Sequence, residues 1–202
     1  KLSGNSIQTP LRIAPKRNEF GFFRKDFHTV TQQTHIALGC KGLAYSDSQK
    51  YILVALVTLL GGGMSSRLFQ QIREKHGLAY TVYAFMESYH DTGLFGIYAG
   101  TLPEKAEKAL GLIKKEIAKL IRKSVSSREL KRTKDQLKGN LKLGLESPSS
   151  RMHRLAKMEL FTREWIGIDE IIARIDAVEA EDIMDVARRL FVDQDTCVTV
   201  LM

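Results

Sequence analysis

The residues of this 202-residue chain that could do chemistry by type alone are five histidines, two cysteines and one glycine-rich stretch. His28, His35, His76, His90 and His153 never fall four apart, so neither His-Glu-x-x-His nor its inverse His-x-x-Glu-His occurs. A helix-borne zinc pair is therefore missing, although spacing leaves a dispersed site open. His35 lies in a run that reads as a strand, where its other role is that of a hydrogen-bonded structural histidine. No Gly-x-Ser-x-Gly elbow is present for serine chemistry. Cys40 and Cys197 are far apart, and neither precedes a helix whose positive end could activate a thiol. Two thiols alone supply neither a disulfide framework nor a four-ligand zinc site, and they fit a reducing compartment. They could still meet if their strands were neighbours.

The stretch Gly61-Gly62-Gly63-Met64-Ser65-Ser66-Arg67 has glycine amides ahead of a helix, which is one way to hold an anion. It lacks the lysine followed by Ser or Thr that a nucleotide cradle needs, and it follows a helix rather than a strand. Two readings stay open: a turn between packed helices, or a segment that lets an extended chain approach the backbone.

The elements that must position these residues follow from hydrophobic periodicity. Residues 20–30 and 34–40 read as strands, and residues 49–60 as a largely buried helix with Asp47 or Ser46 as N-cap. The three glycines end that helix. Ser65 or Ser66 is expected to cap a second, short helix with Leu68, Phe69 and Ile72 as its apolar stripe, stopped by Gly77. Residues 80–85 and 94–99 read as an antiparallel hairpin joined through the polar segment 87–91. Helices follow: from Pro103 to Arg122, from Ser126 or Ser127 to a break at Pro148, from Ser149 or Ser150 to Phe161, and over 168–176 and 180–191. Residues 196–201 read as a closing strand. Strands early, helices late and one returning strand argue for an α+β sandwich whose sheet is covered by helices on one face. A doubly wound fold is excluded by the missing βαβ alternation.

Composition agrees with a globular chain: 44% apolar and 27% charged residues, ample for a core without metal or disulfide staples. No run of 18 uncharged apolar residues exists, so no membrane-spanning helix is expected. The first residue is lysine, and the chain is expected to be part of a longer polypeptide. Its formal net charge is +8, and residues 104–138 hold twelve Lys or Arg against five acids, a local net of +7. Such a field can attract nucleic acid, an acidic surface or an acidic polypeptide, but also describes solvated helix faces. No nucleic-acid motif accompanies it, so a nucleic-acid partner is not expected.

The block from Gly61 through Arg67-Leu68-Phe69-Gln70-Gln71-Ile72-Arg73-Glu74-Lys75-His76-Gly77-Leu78-Ala79-Tyr80 resembles the C-terminal homologous domain of the pitrilysin-like, or M16, zinc peptidases. That clan includes mitochondrial processing peptidase, insulin-degrading enzyme and bacterial processing proteases. Gln33-Thr34-His35-Ile36 and Glu146-Ser147-Pro148-Ser149-Ser150-Arg151 extend the resemblance over residues 20–202, with 1–19 left as a linker or N-terminal arm. It implies the α+β two-layer sandwich of the LuxS and M16 metalloenzymes, with a mainly antiparallel sheet under helices. It further implies a hydrolase built from paired homologous domains, of which the first carries His-x-x-Glu-His and the zinc. This chain would hold no metal itself, and would work with a zinc-bearing N-terminal domain or partner subunit, a homodimer being one arrangement.

In the family the second domain contributes an arginine and a tyrosine seven residues apart, and the matching positions are Arg73 and Tyr80. The resemblance makes them catalytic through substrate positioning and transition-state hydrogen bonding, with Gly61, Gly62, Gly63, Ser65 and Ser66 as a loop beside an extended peptide. Read without the family, Arg73 is a surface ion-pair partner, Tyr80 a core residue at a strand start and Glu74 a helix-surface acid. The alternative function is a non-catalytic scaffold subunit of the same family. The expected location is cytoplasmic, with periplasm and organelle left open.

Overall fold

The computed structural model describes residues 23–29, 31–191 and 196–202. The arm expected over 1–19 and the start of the first expected strand lie outside these residues. The rest of that strand is β1 (Phe23–Phe27), followed by β2 (Thr34–Gly42), α1 (Lys50–Gly61), a π-helical segment (Phe69–Lys75), β3 (Ala79–Ser88) and β4 (Gly93–Thr101). A single 3-10 turn (Pro103–Lys105) leads into α2 (Ala106–Arg122), α3 (Ser127–Gly144), α4 (Pro148–Phe161), α5 (Ile168–Asp176), α6 (Ala180–Phe191) and β5 (Cys197–Leu201).

The five strands form one sheet in the order β1-β5-β2-β4-β3. All neighbouring pairs are antiparallel except β1 with β5. The last strand thus slots between the first two, and β3 lies at an edge.

Period-two alternation decides which face is covered. On β2, Ile36, Leu38 and Cys40 are buried while Ala37 and Lys41 are exposed; across the ladder Val198 opposes Leu38 and Val200 opposes Ile36. Phe95, Ile97 and Ala99 of β4 continue the same buried face. The helices supply the other half of one core through Leu53, Leu56 and Leu60 of α1, Ile113 and Leu120 of α2, and Ile183 and Leu190 of α6. On the opposite face a ring cluster stands open: Tyr83 lies 5.9 Å from Phe85 and 5.2 Å from Tyr98, centroid to centroid. This is the two-layer α+β sandwich expected from the sequence.

Three helix starts differ from expectation. Asp47 does not cap α1 directly; its carboxylate accepts from the Gln49 amide at 2.9 Å and also meets Arg189 at 3.1 Å, so the first helical residue is Lys50. The run after Ser66 is π-helical rather than α. Pro148 is not a spacer before the fourth helix but its first residue, with the Ser147 hydroxyl accepting from the Ser150 amide. Ser126 caps α3 as expected, accepting from the Glu129 amide at 3.3 Å.

Candidate functional site

The segment from Gly61 to Tyr80 is one continuous device, fixed first by how α1 ends. A Cβ on Gly61 would lie 2.1 Å from the Ala84 nitrogen, so the last turn of α1 rests directly on the backbone of β3. A Cβ on Gly62 would meet the Thr58 Cα at 2.5 Å. These two glycines are therefore demanded by close packing. The chain then turns, with the Ser66 amide donating to the Gly63 carbonyl at 3.0 Å and Met64 standing in solvent.

Ser66 marks the start of the next helical run through its carbonyl, which accepts from the Gln70 amide at 3.0 Å. Its hydroxyl is buried and has no hydrogen-bond partner among the described residues, so neither serine provides the side-chain cap the sequence suggested. The turn is instead held from outside. The Arg67 guanidinium forms a two-pronged pair with the Glu129 carboxylate at 2.7 and 2.8 Å, with 18% of each side chain exposed. Arg132 donates to the Ser65 carbonyl at 2.8 Å, Gln136 to the Gly62 carbonyl at 2.9 Å, and Gln70 to the Met64 carbonyl at 2.7 Å. Glu129, Arg132 and Gln136 were not legible as site residues, because nothing local links them to a loop more than sixty residues earlier.

From Arg67 the chain turns with Leu68 and Ile72 wholly buried, which throws Arg73 and Glu74 outward. The Arg73 guanidinium lies 5.0 Å from the Phe69 ring centroid, a cation–π contact one turn back along the same segment. Among the described residues the guanidinium forms no hydrogen bond or ion pair. The π-helical winding closes with the Leu78 amide donating to the Ile72 carbonyl at 2.9 Å and the Gly77 amide to the Arg73 carbonyl at 3.1 Å. Gly77 has φ of +54°, the left-handed conformation that glycine takes at least cost. Lys105 donates to its carbonyl at 3.2 Å, and the Thr101 hydroxyl donates to the Leu78 carbonyl.

Tyr80 follows immediately. Ala79 pairs with Thr101 and Thr81 with Gly100, so Tyr80 is the extra residue of a β-bulge. A bulge breaks the alternation of a strand and re-aims one side chain. Tyr80 is 59% exposed, not the core residue its place at a strand start allowed, and forms no hydrogen bond to a described residue. It borders a hollow of about 300 Å³ whose other walls are Gly77, Leu78, Ala79, Leu102 and Lys105.

The histidines stay dispersed: His35 pairs with the Tyr98 hydroxyl at 2.6 Å, His153 with the Ser149 carbonyl at 2.8 Å, and His28, His76 and His90 are exposed. Among the described residues no group of three or more His, Cys, Asp or Glu could hold a metal ion. The donor set of the described residues does not fit a zinc site.

A helix-backed, mainly antiparallel sheet that presents an outward Arg on a π-helical segment and an outward Tyr just past its end, with no metal-ligand cluster among the described residues, is an α+β two-layer sandwich domain. The chain belongs to the peptidase M16 inactive-domain family, whose profile matches residues 2–137. It is 41% identical over 180 residues to the "uncharacterized zinc protease YmxG" of Bacillus subtilis, covering 86% of this chain and 44% of that protein. It is 42% identical over 158 residues to the "uncharacterized zinc protease SCO5738" of Streptomyces coelicolor, covering 78% and 34%. A protease from Helicobacter pylori superposes with a TM-score of 0.83 at 25% identity, over 91% of this chain and 44% of that one. The chain thus spans less than half the length of the relatives it matches.

Proposed function

We propose that this chain is the substrate-binding second domain of a zinc metalloendopeptidase, supplying Arg73 and Tyr80 to a zinc site carried by another domain or subunit. The observation that carries this reading is the presentation of the pair. Both side chains are exposed and form no hydrogen bond to a described residue, while the segment between them is pinned by buried Ile72, Leu78 and Ala79. A guanidinium offers several fixed donors and a phenol one, suited to the carbonyl oxygens of an extended peptide and to the oxyanion that develops as one is attacked. Donors ordered before substrate arrives lose little freedom on binding it. The partner is then the homologous zinc-bearing domain, and half-buried Gly63 and Ser65 flank exposed Met64 on a loop beside the peptide's path.

The test is steady-state hydrolysis of an unstructured peptide by the full-length protein, with zinc measured in the same samples. Arg73→Ala and Tyr80→Phe are each expected to keep the zinc and lower kcat by about two to three orders of magnitude, as loss of one oxyanion donor does. A rise in KM with kcat unchanged would limit the pair to anchoring the ground state. Wild-type kcat/KM in both folded variants would overturn the assignment.

A further inference from the structure

α3 contributes three side chains to the glycine loop from a single face. Glu129, Arg132 and Gln136 are spaced i, i+3 and i+7, so they rise along the same side of the helix. Their targets also run in order along the loop: Gln136 takes the Gly62 carbonyl, Arg132 the Ser65 carbonyl and Glu129 the Arg67 guanidinium. The helix ascends as the loop descends, which makes a three-rung ladder between them. α3 is itself fastened behind this face, where Lys134 donates to the Asp176 carbonyl at 2.8 Å and Lys138 meets the Asp176 carboxylate at 2.8 Å.

The loop has few means of holding its own shape. Beyond the packed Gly61 and Gly62, the Ser66 hydroxyl makes no cap and Met64 stands in solvent. Without the ladder, the entry to the π-helical segment would be fixed by Gly61 and Gly62 at the end of α1, Leu68, the turn at Gly63–Ser66 and the Gln70 contact, with no tie to α3. The exit is held independently through Gly77 and Leu78. The position of Arg73 relative to Tyr80 therefore depends on the entry.

We infer that Glu129, Arg132 and Gln136 are positioning residues, a clamp from α3 that sets where the Arg73 segment stands and so where its guanidinium meets substrate. This deepens the function proposed above and rests on it. Displacing a donor by a fraction of an ångström weakens transition-state stabilisation more than ground-state contact. The clamp should therefore act on kcat, and only through Arg73.

The experiment is a double-mutant cycle in the full-length protein. Arg132→Ala combined with Gln136→Glu, the latter keeping shape while removing the donor, is expected to lower kcat about tenfold with KM within about twofold. In the Arg73→Ala background the same pair should cost less than about twofold, because the group it positions is gone. Arg132→Lys with native Gln136 retains a donor and should keep activity near wild type. Amide hydrogen exchange supplies a readout independent of activity: Gln70, Gly77 and Leu78 should exchange faster in the clamp variant while β2 and β4 are unchanged. Equal losses in both backgrounds, or unchanged exchange at these three amides, would overturn the inference. Full activity of Arg73→Ala alone would bring down the proposed function and the kinetic role together, and exchange would still report whether the clamp orders the segment.

Discussion

The thiol of Cys40 faces the helix-covered side of the sheet, and burial pushes it up to about 12, with a smaller contribution from the thiol of Cys197. Cys197 opposes Gly39 across the β2–β5 ladder, one residue out of phase, so alternation sends the two thiols to opposite faces. Both are free, and neighbouring strands were not enough to join them. A native thiol with a raised pKa stays protonated where the unfolded chain's thiol has already ionised. The stability this confers is complete below the ordinary thiol value of 9.0 and is lost as pH rises toward 12. Wild type is therefore expected to lose about 1.4 kcal/mol per pH unit in that window relative to Cys40→Ala. Thermal unfolding of both proteins from pH 8 to 11 measures the difference. At pH 8 iodoacetamide should label Cys197 well before Cys40, and equal labelling rates in the native protein would refute the buried thiolate penalty.

Gly61 carries the argument from residue to element, because it is the point where α1 touches β3. Alanine there would drive a Cβ to 2.1 Å from the Ala84 nitrogen, against backbone that cannot rotate aside. Gly61→Ala is expected to destabilise by about 1–3 kcal/mol or more, the usual range for overpacking, and to disturb the adjoining loop. Urea unfolding checks this, and an unchanged midpoint would show that α1 and β3 separate without cost. Elements of this kind were legible where one face meets one core: the apolar spacing from Ala106 to Ile121 placed α2 correctly to Arg122. The π-helical winding over Phe69–Lys75 was not legible, since Leu68 and Ile72 suit either helix. The bulge at Tyr80 leaves no local trace either, because it is a register relation with Thr101 and Gly100 of another strand. Arg73 and Tyr80 could be marked from their neighbours in sequence, whereas the side chains that hold their scaffold come from α3 and could not. Local pattern specifies an element and its buried face; partners distant in sequence specify its termini and its distortions.

Across the whole molecule the basic excess looks different from its sequence count. Between Glu104 and Lys138 several cations are already engaged: Lys119 with Glu116 at 2.5 Å, Lys131 with Asp135 at 2.8 Å, and Lys138 with Asp176, whose carboxylate holds its ammonium above the usual lysine range. Lys105, Arg132 and Lys134 donate to backbone carbonyls of other elements. These residues tie α2 and α3 to the loop, to α5 and to the turn before β3, so much of the charge serves internal fastening. Exposed pairs of this kind contribute little to stability and are screened by salt. The remaining field could still steer an acidic substrate toward the sheet edge. Lys108, Lys115 and Lys123, none of whose ammonium groups forms a hydrogen bond or ion pair to a described residue, separate the two roles. If the charge is solvated surface, changing all three to Gln in the full-length protein should leave kcat/KM for an acidic peptide within about twofold at every ionic strength. A steering field predicts instead a fall that is largest at low salt and vanishes as the Debye length shrinks from about 10 Å at 0.1 M to about 3 Å at 1 M. We expect the flat profile for the acidic peptide, and a salt-sensitive loss in the triple variant with that peptide would assign substrate capture to the basic face of α2 and its C-terminal cap.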